Sequence, residues 1–303
     1  MTRMSHQRIG VVAALSKPEA AKLGLAIAEW LDAHGHTAVT EHQLTAVGTA
    51  VGTAVGTADV DAIVVLGGDG LMMRAANSYP DIPLLGINFG KVGFLALVEQ
   101  QDWQAAVASL VAGEFTIEES STLSAHLTRN GTTVDQGWAI NDVVIRGGAR
   151  MVDVEVYIDG YWVNTYPGDG MIVSTPRGST AYCMAAGGPI LASGVRGFAV
   201  VPISCHSPIR TPMIASEDVT IELVLTNDHE ASLILDGRIM SEVGLGDTIT
   251  IKRGIHTFQL VKIGSHNFFE AVRTKFNFQI RPDAIPTRSL ALRAALRSRG
   301  GHG

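Results

Sequence analysis

The stretch Ala62-Ile-Val-Val-Leu-Gly-Gly-Asp-Gly-Leu-Met-Met-Arg-Ala-Ala-Asn77 decides the fold class. Its first five residues are apolar and mostly β-branched, which predicts a buried strand. Leu71 to Asn77 has the composition of a helix. Gly67-Gly-Asp-Gly70 therefore sits at the carboxyl end of a strand and the start of a helix, where open α/β sheets bind ligands. Upstream, Ile9 to Ala14 reads as another buried strand, Pro18 to Ala33 as a helix and Thr37 to Thr40 as a second strand. Leu23, Ile27, Trp30 and Leu31 fall on one face of that helix, and Pro18 suits its first turn. Downstream, Pro83 to Asn88 predicts a strand and Trp103 to Ala112 a helix. Residues 1–115 thus predict an α/β domain with a parallel sheet.

Residues 116–264 change texture. Thr122 to Leu127, Ala139 to Ile145, Val152 to Ile158, Tyr161 to Thr165, Val219 to Thr226, Ala231 to Leu235 and Thr248 to Ile251 predict short strands. Asp159-Gly160 and Asp236-Gly237 are turn signals, the first between two of those strands. A helix around Tyr182 to Ala186 interrupts this β-rich domain, and residues 282–303 read as a flexible basic tail. Thr45-Ala-Val-Gly48 recurs at Thr49 and Thr53, a period too short for a solenoid, and reads as an expanded loop.

The 303-residue chain is 46% apolar and 17% charged, enough for a sizeable core, and its net charge of −6 argues against nucleic acid as a partner. No apolar run approaches a membrane span and no signal peptide opens the chain, so a cytoplasmic setting is expected. Cys183 and Cys205 lack metal-knuckle spacing and predict small buried residues. His34 and His36 flank a helix-ending glycine and read as solvated, and His206 reads as a packed or capping residue. No histidine pair has metal-ligand spacing.

Four features carry chemistry. Asp69 is either a helix-capping turn residue or a carboxylate held where a substrate approaches the backbone. Asn141-Asp142 is either a turn or a donor–acceptor pair suited to a ribose diol. Gly168-Asp169-Gly170 is a tight turn or an exposed carboxylate. Gly178-Ser-Thr180, ahead of a short helix, predicts N–H groups directed at an anion. Neither a Walker loop nor a GxGxxG dinucleotide fingerprint is present.

In order and spacing these blocks resemble the NAD kinase family from about Ile9 to Phe278. The blocks are Gly67-Gly-Asp-Gly70, Gly86-Ile-Asn-Phe-Gly-Lys-Val-Gly-Phe-Leu95, Asn141-Asp-Val-Val144, Gly168 to Ile190, and Asp236-Gly237 followed by Arg273-Thr-Lys275. The resemblance implies an N-terminal α/β domain, completed by a segment at about 265–281, a β-sandwich-like C-terminal domain, and a ligand cleft between them. It implies transfer of the terminal phosphate of ATP, with a divalent metal such as Mg2+, to the 2′-hydroxyl of the adenosine ribose of NAD, giving NADP. Polyphosphate is the alternative donor, and a homodimer or homotetramer the implied assembly. Asp69 matches the aspartate that takes the hydroxyl proton, and Gly70 the residue the sugar approaches. Asn141 and Asp142 match the adenosine-holding pair, and Asp169 a carboxylate facing the nicotinamide end. Thr180, Ala181, Tyr182 and Ala185 match the adenine and ribose lining, and Arg74 and Arg150 basic positions facing phosphates. Phe94, Arg177 and Arg238 lie within matching blocks and join the NAD-binding candidates.

The sequence departs from the family pattern at four places. Leu71 replaces a usual threonine, Asp142 a usual glutamate, Arg177 a small residue and Arg238 a frequent glutamine. Arg177 is expected to meet a phosphate, an acidic neighbour or solvent. Two other readings share the glycine turn: a lipid kinase of the diacylglycerol or sphingosine type, and a non-catalytic NAD-binding sensor.

Overall fold

The structure, a computed structural model, describes residues 6–40, 59–90, 93–264 and 268–276. The tetrapeptide repeat and the basic tail lie outside the described residues. Strands β1 (Arg8–Ala13), β2 (Thr37–Thr40), β3 (Ala62–Gly67) and β4 (Leu84–Asn88) pair in parallel in the order β2-β1-β3-β4. β5 (Ala96–Glu99) pairs in parallel with β4. One face of this sheet packs Ile9, Val11, Leu85 and Ile87 against Ile27 and Leu31 of α1 (Pro18–Ala33) and Val107 and Leu110 of α3 (Trp103–Ala112). The other face packs Ile63, Val65 and Leu84 against Met72 and Ala75 of α2 (Asp69–Ser78). Covering both faces is why every residue of β3 is buried and why its sequence is a continuous apolar run.

The rest of the body is a β-sandwich. A six-stranded antiparallel sheet has the order β13 (Met213–Ser216), β12 (Gly197–Ile203), β11 (Gly170–Ser174), β8 (Asp142–Gly147), β15 (Ala231–Leu235), β16 (Arg238–Val243). It faces β6 (Thr116–Arg129), β7 (Thr132–Ala139), β9 (Val152–Ile158), β10 (Tyr161–Gly168), β14 (Ile221–Leu225) and β17 (Thr248–Lys262). Val143, Ile145, Val154, Val156, Phe198, Leu223, Leu233 and Ile249 fill the space between the layers. β17 joins this sandwich to the parallel sheet: it pairs with β6 and β14, and Leu260 pairs with Leu84 of β4. The helix Phe268–Lys275 belongs to a separate unit beginning at Asn267.

Several expected elements change. The strand expected at Thr248 to Ile251 runs on to Lys262, with an irregularity between Arg253 and Thr257. The strand expected over Ala139 to Ile145 breaks: β7 ends at Ala139 in one layer and β8 begins at Asp142 in the other. The break arises because the carboxylate of Asp236 accepts the N–H groups of Ile140 (2.8 Å), Asn141 (2.7 Å) and Asp142 (3.2 Å), doing for them what a neighbouring strand would. Asp169 makes a second such corner, between β10 in one layer and β11 in the other. His36 is buried, contrary to its reading as solvated: the ring Nδ1 accepts the N–H of Gln7, and burial, with His6 and His34, lowers its pKa. His206 is exposed rather than packed, with its backbone N–H donating to Pro167 O at 2.8 Å.

Candidate active site

Asp69 is the first residue of α2, with Gly68 in extended conformation as the cap. Its carboxylate does not cap its own helix. It accepts the main-chain N–H of Phe94 (2.8 Å), Leu95 (3.0 Å) and Ala96 (3.4 Å), and so joins the helix start to the following loop. A carboxylate offers about four acceptor sites, and at least three are taken. Gly93 is required there, since a Cβ on it would lie 2.0 Å from Asp69 Oδ1. Gly68 and Gly70 are different: no described atom lies within 4 Å of a Cβ built on either, so local packing does not demand glycine. What the missing side chains provide is an uncovered backbone beside Asp69. Leu71, which replaces the expected threonine, lays its side chain over Gly67 and joins the core beneath.

The second part is the corner at Ile140–Asp142. Asp236 and Gly237 form the β15–β16 turn with φ of 48° and 76°, and this places the Asp236 carboxylate under the corner. Asp142 is 5% exposed, and burial, reinforced by Asp236, pushes its carboxyl up to about 7. Burial pushes the nearby Cys183 thiol up to about 11, which makes it an unreactive packed residue.

The third part is the stretch from Ser174 to Ala185. The Asn141 carbonyl accepts the N–H of Thr175 (2.9 Å) and the Ser174 hydroxyl (3.2 Å). Gly178 packs directly on that carbonyl, where a Cβ would lie 2.1 Å from the oxygen. Gly178→Ala is therefore expected to cost about 2–3 kcal/mol through overpacking against fixed backbone, read as a lower urea midpoint. A change under about 0.5 kcal/mol would show that the corner yields. The expectation that Gly178 to Thr180 directs N–H groups at an anion is corrected for its first two residues: the N–H of Gly178 donates to Thr175 Oγ1 and that of Ser179 to Thr175 O. Ala181 and Ala185 are exposed, Thr180 and Tyr182 half-buried, and the Arg146 guanidinium lies over the Tyr182 ring at 5.9 Å.

Arg177 meets the acidic neighbour among its three expected partners. Its guanidinium pairs with Glu118, donates to Ser120 Oγ at 3.2 Å and lies over the Phe258 ring at 5.3 Å. Lys262 donates to the same Glu118 at 3.0 Å. Burial works to raise the Glu118 carboxyl, but Arg177, Ser193 and Lys262 hold it below the usual range. Burial in turn lowers the Arg177 pKa, against the attraction of Glu118 and, further off, of Asp69.

The structure thus joins Asp69 and Phe94 directly, and Asn141, Asp142 and the Arg177–Gly178 turn through shared backbone contacts. Arg238 is an exposed residue that donates to Asn77 Oδ1 of α2 at 3.1 Å. Asp169 and Arg150 are also exposed and lie on either side of Gly147, whose N–H donates to Asp169 O at 2.9 Å. Next to Asp169, a cavity of about 620 Å³ is lined by Pro202, Ser204, Cys205, His206 and Arg210. Arg74 is exposed on α2, the helix that Asp69 begins. Sequence reasoning missed Glu118, Lys262, Asn77 and Arg146. Arg146 was findable in principle, as a charged residue ending an apolar strand. The other three acquire meaning only from partners far away in the chain.

Residues 9–115 match the model of the ATP-NAD kinase N-terminal domain, and residues 140–263 that of the ATP-NAD kinase C-terminal domain. The chain is 51% identical over 282 residues to an NAD kinase of Thermomicrobium roseum, covering 93% of this chain and 95% of that protein. It is 34% identical over 284 residues to an NAD kinase of Citrifermentans bemidjiense, covering 90% and 99%. The crystal structure of yeast NADH kinase complexed with NADH shares the fold, with a TM-score of 0.81 at 16% identity, covering 94% of this chain and 90% of that one. An NAD kinase from Archaeoglobus fulgidus in complex with ATP gives a TM-score of 0.70 at 25% identity, covering 88% and 99%. With both domain models matched and half of all aligned positions shared with the T. roseum protein, this chain belongs to the NAD kinase family.

Proposed function

We propose that the chain transfers the terminal phosphate of ATP to the 2′-hydroxyl of the adenosine ribose of NAD, giving NADP. The observation that carries the reading is the fixed Asp69 carboxylate beside the uncovered backbone of Gly68 and Gly70. In the proposal Asp69 accepts the hydrogen of the 2′-hydroxyl and aims its oxygen at the terminal phosphorus. The new P–O bond forms as the bond to the bridging oxygen breaks, ADP leaves, and the hydroxyl proton passes to Asp69. Positioning supplies most of the acceleration, as is general for phosphoryl transfer.

Asn141 and Asp142 hold the adenosine, and Gly70 lets the sugar approach the main chain. Thr180, Ala181, Tyr182 and Ala185 line the adenine and ribose, and the exposed alanines there leave room for a flat ring. Asp169 faces the nicotinamide end, and Arg74 and Arg150 the phosphates. Among the described residues no group of three or more His, Cys, Asp or Glu side chains gathers to hold a metal. The divalent ion, Mg2+, is assigned in the proposal to the ATP phosphates, which suits its preference for phosphate and water oxygens. Among the described residues no helix is long and apolar enough to cross a membrane. A cytoplasmic homodimer or homotetramer completes the proposal.

The test is NADP formation from NAD by the purified chain, with ATP or polyphosphate as donor and Mg2+ present. Turnover with ATP is expected. NAD binding without NADP formation would replace the reading with that of a sensor, and phosphorylation of diacylglycerol or sphingosine instead would replace it with that of a lipid kinase.

A further inference from the structure

We propose that Asn77 is a positioning residue that sets the distance between Asp69 and the Asn141–Asp142 corner; this rests on the activity proposed above. Asn77 is the penultimate residue of α2, the helix that Asp69 begins. Its carboxamide N–H groups donate to Met73 O at 3.1 Å and, at a longer 3.5 Å, to Asp236 Oδ2, and its oxygen accepts from Arg238 Nη2 at 3.1 Å. Both donors and the acceptor are used in one orientation only. Turned over, the amide would set its NH2 against the guanidinium and its oxygen against a carboxylate and a carbonyl.

Asp236 Oδ2, which accepts from Asn77, also accepts the N–H of Ile140, and Oδ1 of the same carboxylate accepts those of Asn141 and Asp142. The helix is therefore pinned at both ends. Asp69 ties its start to the Phe94–Ala96 loop, and Asn77 ties its end to the β15–β16 turn. At a rise of about 1.5 Å per residue the two ties stand about 12 Å apart along the helix. A displacement of about 1 Å between groups that act on the same substrate costs on the order of 100-fold in rate.

The experiment compares wild type, N77L and R238L for kcat, for Kd of NAD by calorimetry and for Tm, with N77L also placed in an Asp69→Asn background. The expected result is a kcat lowered about 10- to 100-fold in N77L, with Kd for NAD within about threefold of wild type. R238L removes the opposite end of the same tie from an exposed position and is expected to lower kcat in the same sense. In the Asp69→Asn background N77L is expected to lower the residual rate no further, because what it displaces is already gone. A lowered Tm with unchanged kcat per folded molecule would assign Asn77 a purely structural role and overturn the proposal. So would a loss confined to Kd, or effects that multiply with Asp69→Asn. An active wild type beside equally active N77L overturns this proposal alone; a wild type that makes no NADP overturns the activity reading and this proposal with it.

Discussion

Replacing Asp69 with asparagine is expected to lower kcat for NADP formation by about 1,000-fold. Two effects act together. The amide cannot take the hydroxyl proton, and it has one acceptor oxygen where the carboxylate has two. Both carboxylate oxygens of Asp69 are engaged, Oδ2 by Phe94 and Oδ1 by Leu95 and Ala96. Either orientation of the asparagine therefore sets an NH2 against a main-chain N–H and leaves that donor unsatisfied, at about 1–3 kcal/mol. Glutamate is not expected to rescue activity, because its extra methylene carries the carboxylate off the N–H groups of Phe94, Leu95 and Ala96. The measurements are kcat, Kd for NAD and Tm. An Asp69→Asn variant within tenfold of wild-type kcat would remove Asp69 from the mechanism.

Asp142→Asn is expected to stabilise the protein at alkaline pH and hardly at all in acid. Burial and Asp236 push the folded Asp142 carboxyl from its ordinary 3.8 up to about 7. Between those two values the folded chain holds a proton that the unfolded chain has released, so unfolding becomes easier as pH rises. The loss is complete above about pH 7. At 1.36 kcal/mol per pKa unit its ceiling is about 4 kcal/mol, and relaxation around the ionised group reduces it. Asparagine carries no charge at any pH and escapes the loss. Urea denaturation at pH 4 and pH 8 measures the difference: a stabilisation of about 2–4 kcal/mol is expected at pH 8 and under about 1 kcal/mol at pH 4. An equal effect at both pH values would mean that Asp142 titrates in the folded chain as it does unfolded.

What the sequence reveals divides along the distance between partners. The helices Pro18–Ala33 and Trp103–Ala112 are legible to the residue because the apolar spacing that defines them is local. The Asp159-Gly160 hairpin is legible because both residues take positive φ, which few residue types do readily. The break at Ile140–Asn141 is legible only in part: Asn141-Asp142 carries a turn signal, but the apolar residues on either side of it read as one strand. What interrupts it is a carboxylate 94 to 96 positions away. Arg177 shows the same limit. The sequence gives it three suitable partners, and only the pairing of β6 with β17, which brings Glu118 opposite Leu260, makes an acid the partner. Asp69 is the mixed case: the glycine turn announces that the residue matters, while the three N–H groups that hold it come from a loop 25 to 27 positions on.

Strand β17 has a mechanical consequence. Its fifteen residues pair with the sandwich on both sides of the irregularity between Arg253 and Thr257, and Leu260 near their end pairs with the parallel sheet, so one strand belongs to both halves. Enzymes that clamp their substrates commonly swing rigid lobes about short connecting segments. Here such a swing would have to shear main-chain hydrogen bonds within a sheet, and the described residues from His6 to Gly264 group in one compact unit. With the activity proposed above, halves joined in this way are expected to discriminate substrates by spacing set during folding, as a fixed gauge does, more than by closing around what has bound.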